Sequence, residues 1–142
     1  TNIGIHFFDM LLWLFGAVES SEVNFRGPGR VGGLLRLGRA DVQWFLSTEK
    51  EDLPYQPEPG SKTTFRSITV DGMEVDFTDG FVDLHTTVYE RTLEGRGFGI
   101  EDSRPSIELA YNIGVLPVSS NPEEAHPLIA GLGGVGGAGD FP

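Results

Sequence analysis

A chain of 142 residues with 39% hydrophobic and 11% aromatic side chains can bury one ordinary core and is not a disordered segment. Its net charge of −11, with 10 basic residues scattered among 21 acidic ones, excludes a nucleic-acid backbone or an anionic membrane surface as partner. Without cysteine there are no disulfides, thiol nucleophiles or thiolate metal sites.

In chain order, TNIGIHFFDMLLWLFG reads as a helix that Gly16 is placed to end. Its apolar run, Phe7 to Phe15, is broken by Asp9 and too short to cross a bilayer. No charged region precedes it as in a secretory leader, so a cytoplasmic protein is the expectation. The start inside a helix suggests a fragment of something longer. The apolar period then changes to two, and Glu22–Arg26, Arg30–Leu37 and Ala40–Thr48 are predicted strands. EKEDLPYQPEPGSK, Glu49 to Lys62, is a polar surface loop. Thr63–Val70 and Met73–Thr78 follow as strands joined by Asp71-Gly72, a pair that suits the two positive-φ positions of a tight hairpin.

Val82–Glu94 carries Leu84, Val88 and Leu93 at helical spacing, with Gly95 as its stop. A last helix is predicted from a cap at Asp102 or Ser103, with Pro105 near its first turn, to about Asn112 or Ile113. The fold class is therefore α+β, a largely antiparallel open sheet of about five strands with helices packed on one face. Residues 1–116 form one domain, and a Pro/Gly-rich, loosely ordered tail occupies 117–142. Val42, Trp44 and Leu46 point to one side of their strand and Phe45 to the other. Helices can cover one such face, and another subunit is the expected cover for the second, giving a homo-oligomer.

Gly131-Leu-Gly-Gly-Val-Gly136 is a literal G-x-G-x-x-G. A dinucleotide fingerprint needs a helix after its glycines and an acid about 20 positions later. Only six residues follow Gly136, so the run is read as a flexible segment and not a cofactor site.

The first helix places Asn2, His6 and Asp9 on one side, because residues three and four apart are neighbours. Ile3, Phe7, Met10, Leu11 and Leu14 are predicted to be the core side. An imidazole can take the proton of an alcohol while hydride leaves the same carbon. Asn2 could hydrogen-bond to the ring or to a sugar hydroxyl, and Asp9 could fix the tautomer or tie the helix down. On spacing alone an H-x-x-D pair is more often a surface pair or a satisfied histidine. Arg66 and Ser67, beside the hairpin, could meet a carboxylate or diphosphate, although a solvent-facing strand arginine is the commoner case. His85, with Asp83 and Glu90, lacks a second histidine at i+4 and makes a poor metal site. His126 is uninformative.

NIGIHFFDMLLWLFG resembles the segment that opens the C-terminal domain of the Gfo/Idh/MocA oxidoreductases, where a D/N-x-G-x-H-x-x-D pattern begins the active-site helix. The likeness continues through WFLSTEKEDLP and the stretch from KTTFRSITVDG to IELAYNI, about residues 2 to 113. It implies the glyceraldehyde-3-phosphate-dehydrogenase-like C-terminal fold and the oxidation of C3 of a UDP-linked N-acetylglucosamine uronic acid, in lipopolysaccharide sugar biosynthesis. It also implies NAD(P) held by an N-terminal domain that this chain lacks. By the same resemblance His6 falls on the family's catalytic histidine, Asn2 where many members have aspartate, and Asp9 on the motif's final, supporting acid. The family's E-K-P lysine and Rossmann fingerprint have no counterpart here, so the chain alone is expected to be inactive. The competing expectation is a non-catalytic module that dimerises through its sheet or binds a sugar nucleotide.

Overall fold

The computed structural model describes residues 2–80, 84–119 and 124–132, the side chains of residues 2, 3 and 84 excepted. The chain forms two compact units, residues 1–48 with 99–142, and residues 49–98. The long first segment supplies helix α1 (Asn2–Phe15) and strands β1 (Val18–Gly27), β2 (Arg30–Leu37) and β3 (Ala40–Ser47). Gly16, at φ +94°, turns the chain out of α1 in a conformation that favours glycine. Arg39 Nη2 donates to the Leu14 carbonyl at 2.7 Å, placing a cation on the helix's negative end.

β1, β2 and β3 form an antiparallel meander in that order. Gly33 is opposite Trp44 and Leu35 opposite Val42, so alternation sends Trp44, Leu35 and Leu37 to one face. α1 covers that face, with Phe8 edge-on to Trp44 at 5.3 Å. α3 (Ile100–Val115) packs beside α1, and the core is Phe8, Leu11, Val23, Leu35, Leu37, Trp44, Leu109 and Ile113. Arg26 Nη2 reaches the Ile113 carbonyl at 2.6 Å, a second cation at a helix C-terminal end.

The line of α1 that enters the core is Gly4, Phe8 and Leu11; of the expected line Leu11 is buried as predicted, and the rest is corrected. Phe7 and Met10 are half-buried and Leu14 is exposed; the Ile3 side chain lies outside the described residues. Close approach decides the rotation: a Cβ on Gly4 would stand 3.0 Å from Leu46. α3 also starts earlier than predicted. Gly99 is its N-cap, and the Asp102 carboxylate accepts from the Gly99 N–H at 2.6 Å. Asp102 therefore acts from the third helical position instead of ahead of the helix.

The second face of the sheet carries Gly32, Leu34, Arg36 and Phe45. Residues 124–132, expected within a loose tail, make specific contacts there. The His126 ring stacks on Phe45 at 5.8 Å, and Arg36 Nη2 donates to the Glu124 carboxylate at 2.9 Å. A Cβ on Gly32 would stand 2.5 Å from Ile129 Cδ1, so the isoleucine fills the space the glycine leaves. The cover expected from another subunit thus comes in part from this chain, through the short helix α4 (Pro127–Gly131). Helices are consequently not confined to one face.

The imidazole caps α4, its Nδ1 accepting from the Leu128 N–H at 3.2 Å, which requires the neutral ring. Burial holds the His126 pKa below its ordinary value. A histidine depressed in the folded state contributes its stability in full above its unfolded pKa of about 6.5 and loses it as pH falls through the folded value. Glu124, facing the same sheet, is paired with Arg36. Protection of the Leu128 and Ile129 amides, measured against their intrinsic exchange rates, is therefore expected to fall as pH drops below about 6.5. Rates that follow only the intrinsic pH dependence of exchange would remove the cap as the cause.

In residues 49–98, β4 (Ser67–Val70) and β5 (Met73–Asp76) form a separate two-stranded hairpin. The single sheet of about five strands expected from the sequence is, among the described residues, two sheets of three and two strands. The turn is as predicted, with Asp71 at φ 50° and Gly72 at φ 79°. β4 begins at Ser67, not Thr63, because the Arg66 N–H bonds to the Thr78 hydroxyl at 2.9 Å in place of a ladder partner. Helix α2 (Leu84–Leu93) ends at Gly95, φ 72°, where the Arg96 N–H returns to the Arg91 carbonyl at 2.8 Å. None of the described residues of this unit is fully buried, as befits one hairpin and one helix. Among the described residues no helix is long and apolar enough to cross a membrane.

Candidate functional site

The residues that could carry chemistry lie on α1, opposite its buried line. His6 and Asp9 are both exposed and one turn apart, and Trp13, one turn further, is 81% exposed. Asn2 lies one turn before His6 in the same helix; its side chain lies outside the described residues. No hydrogen bond joins Asp9 to His6, so the tautomer-fixing contact weighed for Asp9 is not made here. The imidazole is open to an incoming hydroxyl. This arrangement can accept a proton from a substrate that approaches α1 from outside.

Arg66 and Ser67 are in the other unit, at the base of the hairpin. Arg66 Nη1 donates to the Thr78 carbonyl at 3.2 Å, so the guanidinium ties the two strand ends together. His85 and Glu90 are exposed on α2, and Asp83 lies outside the described residues. Among the described residues no group of three His, Asp or Glu side chains is placed to hold a metal ion. His126, silent in the sequence, is a capping and packing residue; Pro127 at the first helical position was the available signal for it.

The expectation for the glycine run concerns its lead-in and its continuation. The fingerprint requires a strand ahead of its first glycine, and the residues leading to Gly131 are the helix Pro127–Gly131. The later glycines of that run, from Gly133, lie outside the described residues.

No family model matches the chain. Among the solved structures similar to it are two of the WlbA (WbpB) dehydrogenase from Thermus thermophilus. One is a complex with NAD and α-ketoglutarate, at 48% identity and a TM-score of 0.81, covering 90% of this chain and 42% of that one. The other is a complex with NAD and UDP-GlcNAcA, at 47% identity and a TM-score of 0.81, covering 90% and 41%. The chain spans about two-fifths of the protein it matches. Across nine-tenths of its own length, in sequence and in fold together, it is a relative of the WlbA (WbpB) dehydrogenase.

Proposed function

We propose that this chain is the substrate-side, C-terminal part of an NAD-dependent dehydrogenase of the Gfo/Idh/MocA kind, acting on C3 of a UDP-linked N-acetylglucosamine uronic acid. The observation that carries the reading is an exposed His6 on the outward side of α1, in a chain 48% identical to a dehydrogenase that holds NAD. Nearness to a neighbour complexed with UDP-GlcNAcA supports the substrate. The described residues do not cradle a dinucleotide, so the cofactor would be held by polypeptide outside these 142 residues.

NAD, when bound, accepts a hydride from carbon. The task left to this chain is the proton. As the C3–H bond breaks, the C3 hydroxyl would lose its proton to the His6 imidazole, leaving a 3-keto sugar and an imidazolium. Were a 2-oxo acid, the class to which α-ketoglutarate belongs, to take a hydride from NADH at its carbonyl carbon, that imidazolium would give its proton to the carbonyl oxygen, leaving a 2-hydroxy acid. Asn2 would orient the sugar or the ring from one turn earlier. Asp9, unbonded to His6, would support the helix surface and not the chemistry. Arg66, engaged at its hairpin, is the weakest of the substrate-binding candidates, with Ser67 beside it. Both reactants are water-soluble, which fits a cytoplasmic enzyme.

The intact protein, with the residues encoded on either side of this chain, should form NADH when given NAD and UDP-GlcNAcA, with a 3-keto product by mass spectrometry. Oxidation of another nucleotide sugar in its place would overturn the substrate. No NADH with any nucleotide sugar would overturn the enzyme.

A further inference from the structure

Resting on the proton-accepting role given to His6, we propose that Gly4 is its positioning residue. The missing side chain lets the first turn of α1 lie close against Leu46 of β3, and that distance sets how far the imidazole reaches. Glycine inside a helix is less favourable than alanine, so its presence asks for a reason. Positive φ is not the reason, because Gly4 has ordinary helical backbone, unlike Gly16 at the other end of α1. Space is. A Cβ on Gly4 would stand 3.0 Å from Leu46 Cδ1 and 3.5 Å from Phe8 Cε2, whereas touching carbons sit at about 3.5–4.0 Å. Gly114, the glycine inside α3, has nothing within 4 Å of such a carbon.

Helix and strand meet in step at this contact. Gly4 and Phe8 are four residues apart on α1, a rise of about 6 Å. Leu46 and Trp44, which they meet, are two apart on β3, about 7 Å. Phe8 lies edge-on to Trp44 at the second contact, and only a hydrogen faces Leu46 at the first. Gly4 is buried and His6 exposed. Two residues advance a helix by about 200°, so His6 leaves the axis almost directly opposite Gly4. A retreat of the first turn from the sheet therefore carries the imidazole outward with it. β3 is paired with β2 along its whole length, Leu46 with Val31, whereas Gly4 lies in the first turn of α1, so the helix is the element that yields. An added methyl would drive it out by about half an ångström or more. A reacting group must be held to about that tolerance, and a displacement of about 1 Å costs on the order of 10²-fold in rate.

In the intact protein, Gly4→Ala should lower kcat for UDP-GlcNAcA oxidation about tenfold and leave KM within about twofold, because the loss falls on the transition state. Leu46→Val removes the carbon that the new methyl meets, and adding it to Gly4→Ala should restore most of kcat. A role in stability alone would move the melting temperature and leave kcat of the folded enzyme where it was. The two α1 positions should also be coupled. In a His6→Ala background, Gly4→Ala should cost less than about twofold more, since no imidazole is left to place. Wild-type kcat in Gly4→Ala would overturn the positioning role. So would a loss that Leu46→Val does not repair, or a loss of equal size in the His6→Ala background. Leu46→Phe crowds the same contact from the strand and carries the test if Gly4→Ala does not fold, wild-type kcat again overturning the role. Severe loss in His6→Ala beside full activity in Gly4→Ala would remove Gly4 from the mechanism and leave the dehydrogenase standing. A His6→Ala enzyme as fast as wild type would instead remove the acceptor itself, and the positioning role with it.

Discussion

Replacing His6 by alanine in the intact protein is expected to lower kcat by a factor of about 10² to 10⁴, the usual contribution of a positioned general base. The loss should fall on kcat more than on KM, because a proton acceptor works as the C–H bond breaks and adds little to ground-state binding. Folding should be untouched: the ring is exposed and is not bonded to Asp9. Circular dichroism and the melting temperature of the variant are thus the control that separates chemistry from stability. Asp9→Asn should cost less than about tenfold, since no hydrogen bond transmits its charge to the imidazole. If His6→Ala turned over within a few-fold of wild type, another group would be the proton acceptor and the outward face of α1 would lose its chemical role.

What the sequence disclosed about this site was the face and not its surroundings. His6 and Asp9 share a side of α1 because the helical repeat puts residues three apart on one face, whatever the fold. The buried side was harder to read. Nearly every residue from Ile3 to Phe15 other than His6 and Asp9 is apolar or glycine, so the pattern tolerates several rotations of the helix. Packing chose the one that lays Gly4 against Leu46 and Phe8 against Trp44, two contacts made across more than thirty residues of chain. The Asp71-Gly72 turn was legible for the opposite reason: its positive φ angles are a local demand on two residues. β2 and β3 were likewise marked by their own alternation.

The docking of residues 124–132 on the sheet had no local signature. Ile129 seats over Gly32 because β2 lacks a side chain there, a complementarity between segments nearly a hundred positions apart. Composition read that stretch as loose from its Pro and Gly content alone. The exposure of Trp13 was missed for a related reason. Within an almost wholly apolar helix an indole reads as one more core residue, and only its observed exposure sets it apart.

The largest loss of stability is expected from adding one methyl group, in Gly33→Ala. β1 and β2 change register between Val23 and Phe25, so the strands pinch where Val23 meets Gly33. A Cβ on Gly33 would overlap the Glu22 carbonyl oxygen and stand 2.9 Å from its carbon and 3.0 Å from Val23 Cα. All three are main-chain atoms, so no rotamer change relieves the clash; the strands must part. Parting them unseats Val23, fully buried in the core. Overpacking of this kind costs about 3 kcal/mol or more, against a total stability of roughly 5–15 kcal/mol for a domain of this size. Thermal melts should show Gly33→Ala unfolding about ten degrees lower, or not folding at all. Gly32→Ala should be milder, since one of its obstacles is the movable tip of Ile129, although the Trp44 carbonyl at 2.8 Å still resists. Gly114→Ala supplies the opposite sign. Gly114 sits inside α3 with nothing within 4 Å of the added carbon, so the change should stabilise by about 0.5–1 kcal/mol through helix propensity. Equal melting temperatures for the Gly33 and Gly114 variants would mean that β1 does not approach β2 this closely, and the strand register would have to be redrawn.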